Sequence, residues 1–86
     1  MSISENELPR LRWACRRGML ELDLLLLPFL EHRFLQLTFT QQKVFIELLA
    51  CTDQELFDWL MDKKIPENNA YYKITTLIVQ YAKSSH

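Results

Sequence analysis

The apolar residues of this chain recur every three to four positions in several blocks, which is the pattern of helices with one buried face. β-Branched residues are scattered rather than gathered in alternating runs, and one glycine and three prolines leave few tight turns. Both facts favour helices over strands. We therefore predict an all-α fold in which residues 1–86 form a single domain, a compact five-helix bundle with fraying at 1–4 and 83–86.

The first predicted helix is short and carries a basic side. Ser4 and Glu7 have the spacing of a capping box, and Pro9 then falls in or near the first turn, where its missing N–H costs little. Helical spacing places three apolar residues on one face: Leu8, Leu11 and Cys15. The other faces carry four arginines and a tryptophan: Arg10, Arg12, Trp13, Arg16 and Arg17. Gly18, the only glycine, suits a left-handed cap after this helix.

The second predicted helix begins around residues 19–23 and runs to about Leu35, with Pro28 as a kink or a late first-turn residue. Its apolar residues cover more than one stripe, so we expect this helix to be central in the bundle. The residues that we expect it to bury are Leu22, Leu25, Leu26, Phe29 and Leu30.

Three more helices follow. Thr38 with Gln41, and Thr52 with Glu55, form capping boxes that open the third and fourth helices. The third is expected to bury Val44, Phe45, Leu48 and Leu49 and to expose Gln42, Lys43 and Glu47. The fourth is expected to bury Leu56, Phe57 and Leu60. Pro66 interrupts the chain before a fifth helix whose buried face comprises Tyr71, Ile74, Leu77, Ile78 and Tyr81.

The composition argues against several classes of protein. Cys15 and Cys51 are too few for a disulfide scaffold and are predicted to be reduced and mostly buried. The run LLLLPFL is too short to span a bilayer, and the polar opening MSISENELPR does not resemble a signal peptide, so we expect a cytoplasmic protein that is not a membrane protein. A net charge of -1 and a pI near 6.1 argue against nonspecific binding along nucleic acid.

The residues needed for catalysis or metal binding are not grouped in the sequence. His32 and His86 are the only histidines, and neither lies near a cysteine or serine in a recognisable pattern. Glu31 and His32 are adjacent, so on a helix they point about 100° apart and share no ligand face. A single glycine excludes a glycine-rich phosphate loop. We therefore expect no catalytic residues, no metal site and no cofactor of the protein's own.

A protein-binding surface is the best remaining interpretation of the stretch around Gly18. A basic row that meets an acidic turn, with an aromatic residue and a methionine between them, has the composition of a selective protein contact. The predicted partner-binding residues are Trp13, Arg16, Arg17, Gly18, Met19, Glu21 and Asp23. A small nucleic-acid binder is an alternative, since Arg16 and Arg17 could hold phosphates while Trp13 stacks on a base.

The stretch WACRRGMLELDLLLLPFLEHRF, followed by FIELLACTDQELFDWLM, resembles a known family. It is similar to the bacterial FAD assembly factors of succinate dehydrogenase (SdhE), which are related to mitochondrial succinate dehydrogenase assembly factor 2. The similarity covers roughly residues 8–62. The RGxxE motif of the family appears here as residues 17–21, in the same order relative to the other matching blocks.

The resemblance implies a five-helix protein that binds the flavoprotein subunit of succinate dehydrogenase, and of the similar fumarate reductase. It implies that the protein promotes covalent attachment of FAD to a client histidine. Because the chain has no phosphate loop, we expect the client to hold the FAD. Some members of the family are described as antitoxin-like, which leaves a regulatory role as an alternative. We expect the isolated protein to be monomeric, because no long coiled-coil pattern is present.

The residue types in the motif fit a contact with a partner. Gly18 permits a positive φ and keeps the surface free of a side chain, so that a partner backbone can approach closely. Arg17 offers a planar fork to a carboxylate or carbonyl, and Glu21 can cap the second helix or engage the client. Alternatively, Gly18 is a helix cap and Arg17 and Glu21 pair within the chain. The sequence leaves both arrangements open.

Overall fold

The computed structural model describes residues 5–84, and these residues form five α-helices and two short 3-10 turns. The helices are α1 (Leu8–Cys15), α2 (Leu20–Arg33), α3 (Phe39–Leu49), α4 (Asp53–Leu60) and α5 (Asn69–Ser84). The 3-10 turns are Glu5–Glu7 and Phe34–Gln36. The predicted all-α, five-helix fold is confirmed. Helix α5 extends through Lys83 and Ser84, two of the residues expected to fray, whereas residues 1–4, 85 and 86 lie outside the described part, including Ser4 of the predicted capping box and His86.

Helix α2 is the central element, as its broad apolar surface predicts. It packs against α1, α4 and α5. Its core residues are Leu22, Leu26, Phe29 and Leu30, and Leu25 is half-buried against them. Pro28 lies inside the helix, which ends at Arg33 and continues as the 3-10 turn rather than reaching Leu35 as an α-helix.

The predicted starts of α3 and α4 are confirmed, whereas the N-cap of α1 is Glu7, whose side chain makes no cap hydrogen bond. Pro9 occupies the first turn of α1. The amide of Gln41 donates to Oγ1 of Thr38 at 3.1 Å, and the amide of Thr38 donates back to Oε1 of Gln41 at 2.9 Å. Thr52 and Glu55 make the same reciprocal pair, at 3.1 Å and 3.0 Å. These bonds satisfy amides that a helix start otherwise leaves without partners.

The expected polar face of α3 is wrong at Gln42, which is fully buried. Its Nε2 donates to the carbonyl of Phe34 at 2.9 Å. The carbonyl belongs to the 3-10 turn that follows α2, so the buried amide ties α3 to this turn. A buried side-chain amide is tolerated because it is hydrogen-bonded.

The remaining core follows the predicted pattern with small differences. The buried apolar residues of the other helices are Leu11, Cys15, Phe45, Leu48, Leu49, Leu56, Leu60, Ile74 and Ile78. Several residues expected in the core are half-buried at its edge: Leu8, Val44, Phe57, Tyr71, Leu77 and Tyr81. Within residues 5–84, no helix has the length and apolar character needed to cross a bilayer.

Candidate partner-binding surface around Gly18

Residues 16–19 form the turn that joins α1 to α2. Arg16 is the C-cap of α1, and its amide donates to the carbonyl of Trp13 at 3.1 Å. The next amide, that of Arg17, donates to Oδ1 of Asp23 at 2.9 Å. Asp23 lies in the first turn of α2, so its carboxylate holds the turn against the start of that helix.

Gly18 has a φ of 79°, which confirms the predicted positive value. Its position differs from the predicted cap, because Arg16 caps α1 and Gly18 lies two residues later, inside the turn. A Cβ placed on Gly18 would meet no atom within 4 Å. Glycine is therefore favoured here by the backbone conformation, and the space beside it is open to a partner.

Arg17 is held inside the protein. Its side chain is only 15% exposed, and its Nε donates to Oδ1 of Asp53 at 2.7 Å. Its Nη atoms donate to three backbone carbonyls, those of Ala14 at 3.0 Å, Leu49 at 2.7 Å and Cys51 at 2.7 Å. Leu49 ends α3, where carbonyls lack partners within the helix. One guanidinium thus joins the ends of α1 and α3 to the start of α4.

The internal pair between Arg17 and Glu21 that the sequence left open does not form. Arg17 pairs with Asp53 instead, and Glu21 is exposed and makes no hydrogen bond or ion pair with any residue in the range 5–84. Glu21 does not cap α2 either. Met19 is the N-cap of this helix, and no side-chain cap hydrogen bond forms there. Asp53 was missed at the sequence level because nothing local links it to an arginine 36 residues earlier.

The other predicted surface residues differ in exposure. Trp13 is 72% exposed, and the guanidinium of Arg16 lies 5.7 Å from the centre of its ring. Such stacking fixes a long side chain at a site where a partner can bind. Met19 is half-buried and packs against the core, so it supports the turn more than it projects from it.

The basic row of α1 is largely neutralised by its own neighbours. Arg10 pairs with Glu7 at 2.6 Å, and Arg12 pairs with Glu31 at 2.5 Å. The hydrogen bond from Arg12 lowers the pKa of the Glu31 carboxyl below its ordinary value. Among the four arginines of this segment, Arg16 is the one that has no carboxylate partner among residues 5–84.

A shallow groove of about 380 Å³ lies between α1 and α2, next to this row. Its lining comprises Pro9, Arg12, Trp13, Arg16, Leu27 and Glu31. The Arg12–Glu31 pair forms part of its wall, and Trp13 and Leu27 supply apolar surface. An open groove with an aromatic anchor and a charged border is typical of a protein contact.

Comparison with known proteins assigns the family. Residues 9–82 match the family described as flavinator of succinate dehydrogenase. The chain belongs to this family. It is similar to the FAD assembly factor SdhE of Aliivibrio fischeri, with 42% identity over 78 residues that cover 91% of each chain. The SdhE proteins of Vibrio vulnificus CMCP6 and Yersinia pseudotuberculosis are each 44% identical, over 88% of both chains and over 80% and 78% of the two chains, respectively.

The flavinator family match includes the whole surface described above, from Pro9 to Asp53. It also confirms the resemblance stated for residues 8–62, which was based on the RGxxE motif and its flanking blocks. The match extends that resemblance through most of α5, the helix whose sequence carries few recognisable features.

Residues 5–84 contain no cluster of three or more His, Cys, Asp or Glu side chains arranged to hold a metal. His32 is exposed, and its Nδ1 shares a hydrogen bond with the hydroxyl of Tyr81. Cys15 is fully buried, and burial raises the pKa of its thiol from 9.0 to about 12, so it is protonated and a poor nucleophile at neutral pH.

The two cysteines are expected to react at different rates. In the folded protein, a thiolate-specific reagent at mildly alkaline pH should label half-buried Cys51 first and buried Cys15 only as the chain unfolds. Mass spectrometry of the labelled protein measures the order, and equal labelling of both thiols would contradict the burial of Cys15.

Folding also makes stability depend on pH. Because the pKa of Cys15 is raised by folding, the free energy of unfolding should fall as pH rises from about 9 towards 12. Cys15→Ala should reduce this pH dependence, and Cys51→Ala should reduce it less.

Proposed function

We propose that this protein binds the flavoprotein subunit of succinate dehydrogenase, and that of the similar fumarate reductase, and promotes covalent attachment of FAD to it. The observation that carries the proposal is the family match over residues 9–82, which includes the complete turn around Gly18. The names of its relatives describe those proteins as FAD assembly factors.

The geometry supports a binding role in which the turn meets the client. Gly18 leaves room for a client backbone, while Glu21 and Arg16 offer charges that have no ion-pair partner among residues 5–84. Arg17 does not need to touch the client in this arrangement, because it fixes the turn from behind through Asp53 and three carbonyls. Within the motif, Arg17 therefore shapes the turn, while Gly18 and Glu21 face the client.

In this proposal the client, not the assembly factor, holds FAD. A bound pyrophosphate needs several converging backbone amides, and the sole glycine of the chain lies in an open turn with no cradle around it. The groove between α1 and α2 fits a dianion poorly, because Arg12 is already paired with Glu31 there. We infer that FAD supplies the flavin chemistry on the client and that this chain positions the client surface.

A non-catalytic role belongs to the same proposal. General acid–base or nucleophilic catalysis needs an accessible group beside a partner that activates it. Cys15 is buried and protonated, and His32 contacts Tyr81 rather than a serine or cysteine. The residues around Gly18 are suited to binding, and the chemical step is assigned to the client.

The alternative functions gain no support from the family match or the relatives. Binding along nucleic acid needs several cations that can reach phosphates, whereas Arg10, Arg12 and Arg17 are each paired with a carboxylate. An antitoxin-like role would require a toxin partner, and no feature of the described surface indicates one.

Reconstitution of flavinylation tests the proposed function directly. The purified flavoprotein subunit, free of covalent flavin, is incubated with FAD in the presence and absence of this protein. Covalent flavin is then measured by fluorescence of the denatured subunit in a gel. We expect faster and more complete attachment when the protein is present. Equal rates in the two reactions, together with unchanged covalent flavin in cells that lack the gene, would contradict the proposal.

A further inference from the structure

Helix α2 carries a second apolar row, on the side opposite the core. Leu20 is 68% exposed and Leu24 is 64% exposed, although both belong to the apolar run that predicts a central helix. The helix buries Leu22, Leu26, Phe29 and Leu30 on its other side. An α-helix that is apolar on two opposite sides has one side in need of a partner.

The row leads from the turn to the groove. Leu20, Leu24 and Leu27 are spaced by four and three residues, so they follow one face of the helix. Leu20 and Leu24 are exposed, whereas Leu27, at the end of the row, is half-buried and packs against the core. Leu20 lies inside the RGxxE motif, one residue before Glu21. Leu27 lines the groove together with Trp13. The row therefore connects the open space beside Gly18 with the exposed tryptophan of α1.

The charges near this row are arranged asymmetrically. The Arg12–Glu31 pair lies at the groove and neutralises itself. Glu21, near the turn, and Arg16, stacked on Trp13, are exposed charges without ion-pair partners among residues 5–84, whereas Asp23 accepts from the amide of Arg17. A complementary partner therefore offers apolar side chains along the leucine row, a carboxylate to Arg16 and a positive or N–H donor group to Glu21.

We propose that Leu20, Leu24 and Leu27, together with Trp13 and Arg16, form the anchor for the flavoprotein subunit. This inference rests on the proposed function and extends it from the motif turn to the α1–α2 face. We favour the client over a second copy of the chain as the partner, because Leu20 lies two residues after Gly18 and directly before Glu21. A partner whose backbone reaches Gly18 therefore covers the start of the row as well. Apolar and aromatic anchors of this kind supply most of the affinity in protein interfaces.

Affinity measurements with matched variants test the anchor. Leu24→Ser removes the centre of the row, and Ile65→Ser is the control, because Ile65 is 69% exposed but lies in the segment between α4 and α5. Binding to the purified flavoprotein subunit is measured by calorimetry, with thermal unfolding as a check on folding. We expect Leu24→Ser to raise Kd by about tenfold or more, because the contact loses the burial of one leucine side chain. Ile65→Ser is expected to change Kd by less than about twofold.

The charged part of the anchor has its own readout. Arg16→Glu is expected to raise Kd most strongly at low salt and to flatten the dependence of Kd on salt concentration, because it replaces attraction by repulsion at one site. Lys73→Glu, a charge reversal of the same size at an exposed position of α5, is the control and should leave Kd within about threefold of the wild-type value.

Three results would overturn the anchor. Wild-type affinity in Leu24→Ser, with binding lost in a Gly18 variant, would restrict the contact to the turn and leave the proposed function intact. Dissociation of a wild-type dimer by Leu24→Ser, seen in sedimentation, would assign the row to a second copy of the chain. No binding of wild-type protein to the flavoprotein subunit would overturn the proposed function and the anchor with it.

Discussion

Gly18→Leu is expected to abolish stimulation of client flavinylation while the helical fold persists. The new side chain projects into the open space that we assign to the client backbone, so it blocks the contact without a clash inside the protein. The strain of a non-glycine residue at a φ of 79° is expected to lower the free energy of unfolding by about 1–2 kcal/mol. The affinity for the flavoprotein should fall by roughly thirtyfold or more, as at an interface hot spot. Calorimetry and chemical denaturation measure the two effects separately.

Gly18→Asn separates the effect of side-chain bulk on client binding from the effect of backbone strain on stability. Asparagine tolerates a positive φ better than most residues, so this variant should be nearly as stable as the wild type. The chain already accommodates Asp62 at a φ of 61°. If the side chain itself blocks the client, Gly18→Asn also binds weakly. If Gly18→Asn is fully active while Gly18→Leu is unfolded and inactive, glycine is required here only for its backbone conformation, and the proposed close contact with the client is contradicted.

Arg17→Met is expected to lower the free energy of unfolding by about 2–4 kcal/mol. The substitution keeps much of the aliphatic volume but removes the bonds to Asp53 and to the carbonyls of Ala14, Leu49 and Cys51. Asp53 is 42% exposed, so water partly replaces its lost partner and the loss stays below that of a fully buried pair. Urea denaturation followed by circular dichroism measures the change.

Arg16→Met is the matched control for this substitution. Arg16 is adjacent in sequence, but it is exposed and stacks on Trp13 without an ion pair in the described range. Its replacement should change the free energy of unfolding by no more than about 0.5 kcal/mol while weakening the client contact. Equal losses of stability in the two variants would contradict the internal role that the geometry gives to Arg17.

The features that sequence reasoning predicts correctly are those with local causes. The capping boxes at Thr38 and Thr52 follow from residues three positions apart, and the structure contains both. The positive φ of Gly18 follows from the glycine itself, and the core face of α2 follows from its period. Each of these depends on interactions within one or two helical turns, which a single sequence displays directly.

The features that sequence reasoning misses depend on elements that meet only in the folded chain. The partner of Arg17 lies 36 residues away at Asp53, and no spacing rule connects the two. Gln42 looks like a surface residue until the 3-10 turn after α2 brings the carbonyl of Phe34 to its amide. The exposed leucines are different, because a count of helical angles in LELDLLLLPFL places Leu20 and Leu24 opposite the buried Leu22 and Leu26. The sequence contains this pattern, but it is easily overlooked because positions 24–27 are all leucine.

The bonds of Arg17 also bear on how the protein is made. During synthesis the RGxxE segment leaves the ribosome before residues 49–53, which supply two of the carbonyls and the carboxylate that hold its arginine. A nascent chain that contains only the first two helices has the letters of the motif but lacks the groups that fix its shape. The surface that we propose for the client contact is therefore completed late, after α3 and the start of α4 have docked, so an unfinished chain is expected to bind a flavoprotein poorly.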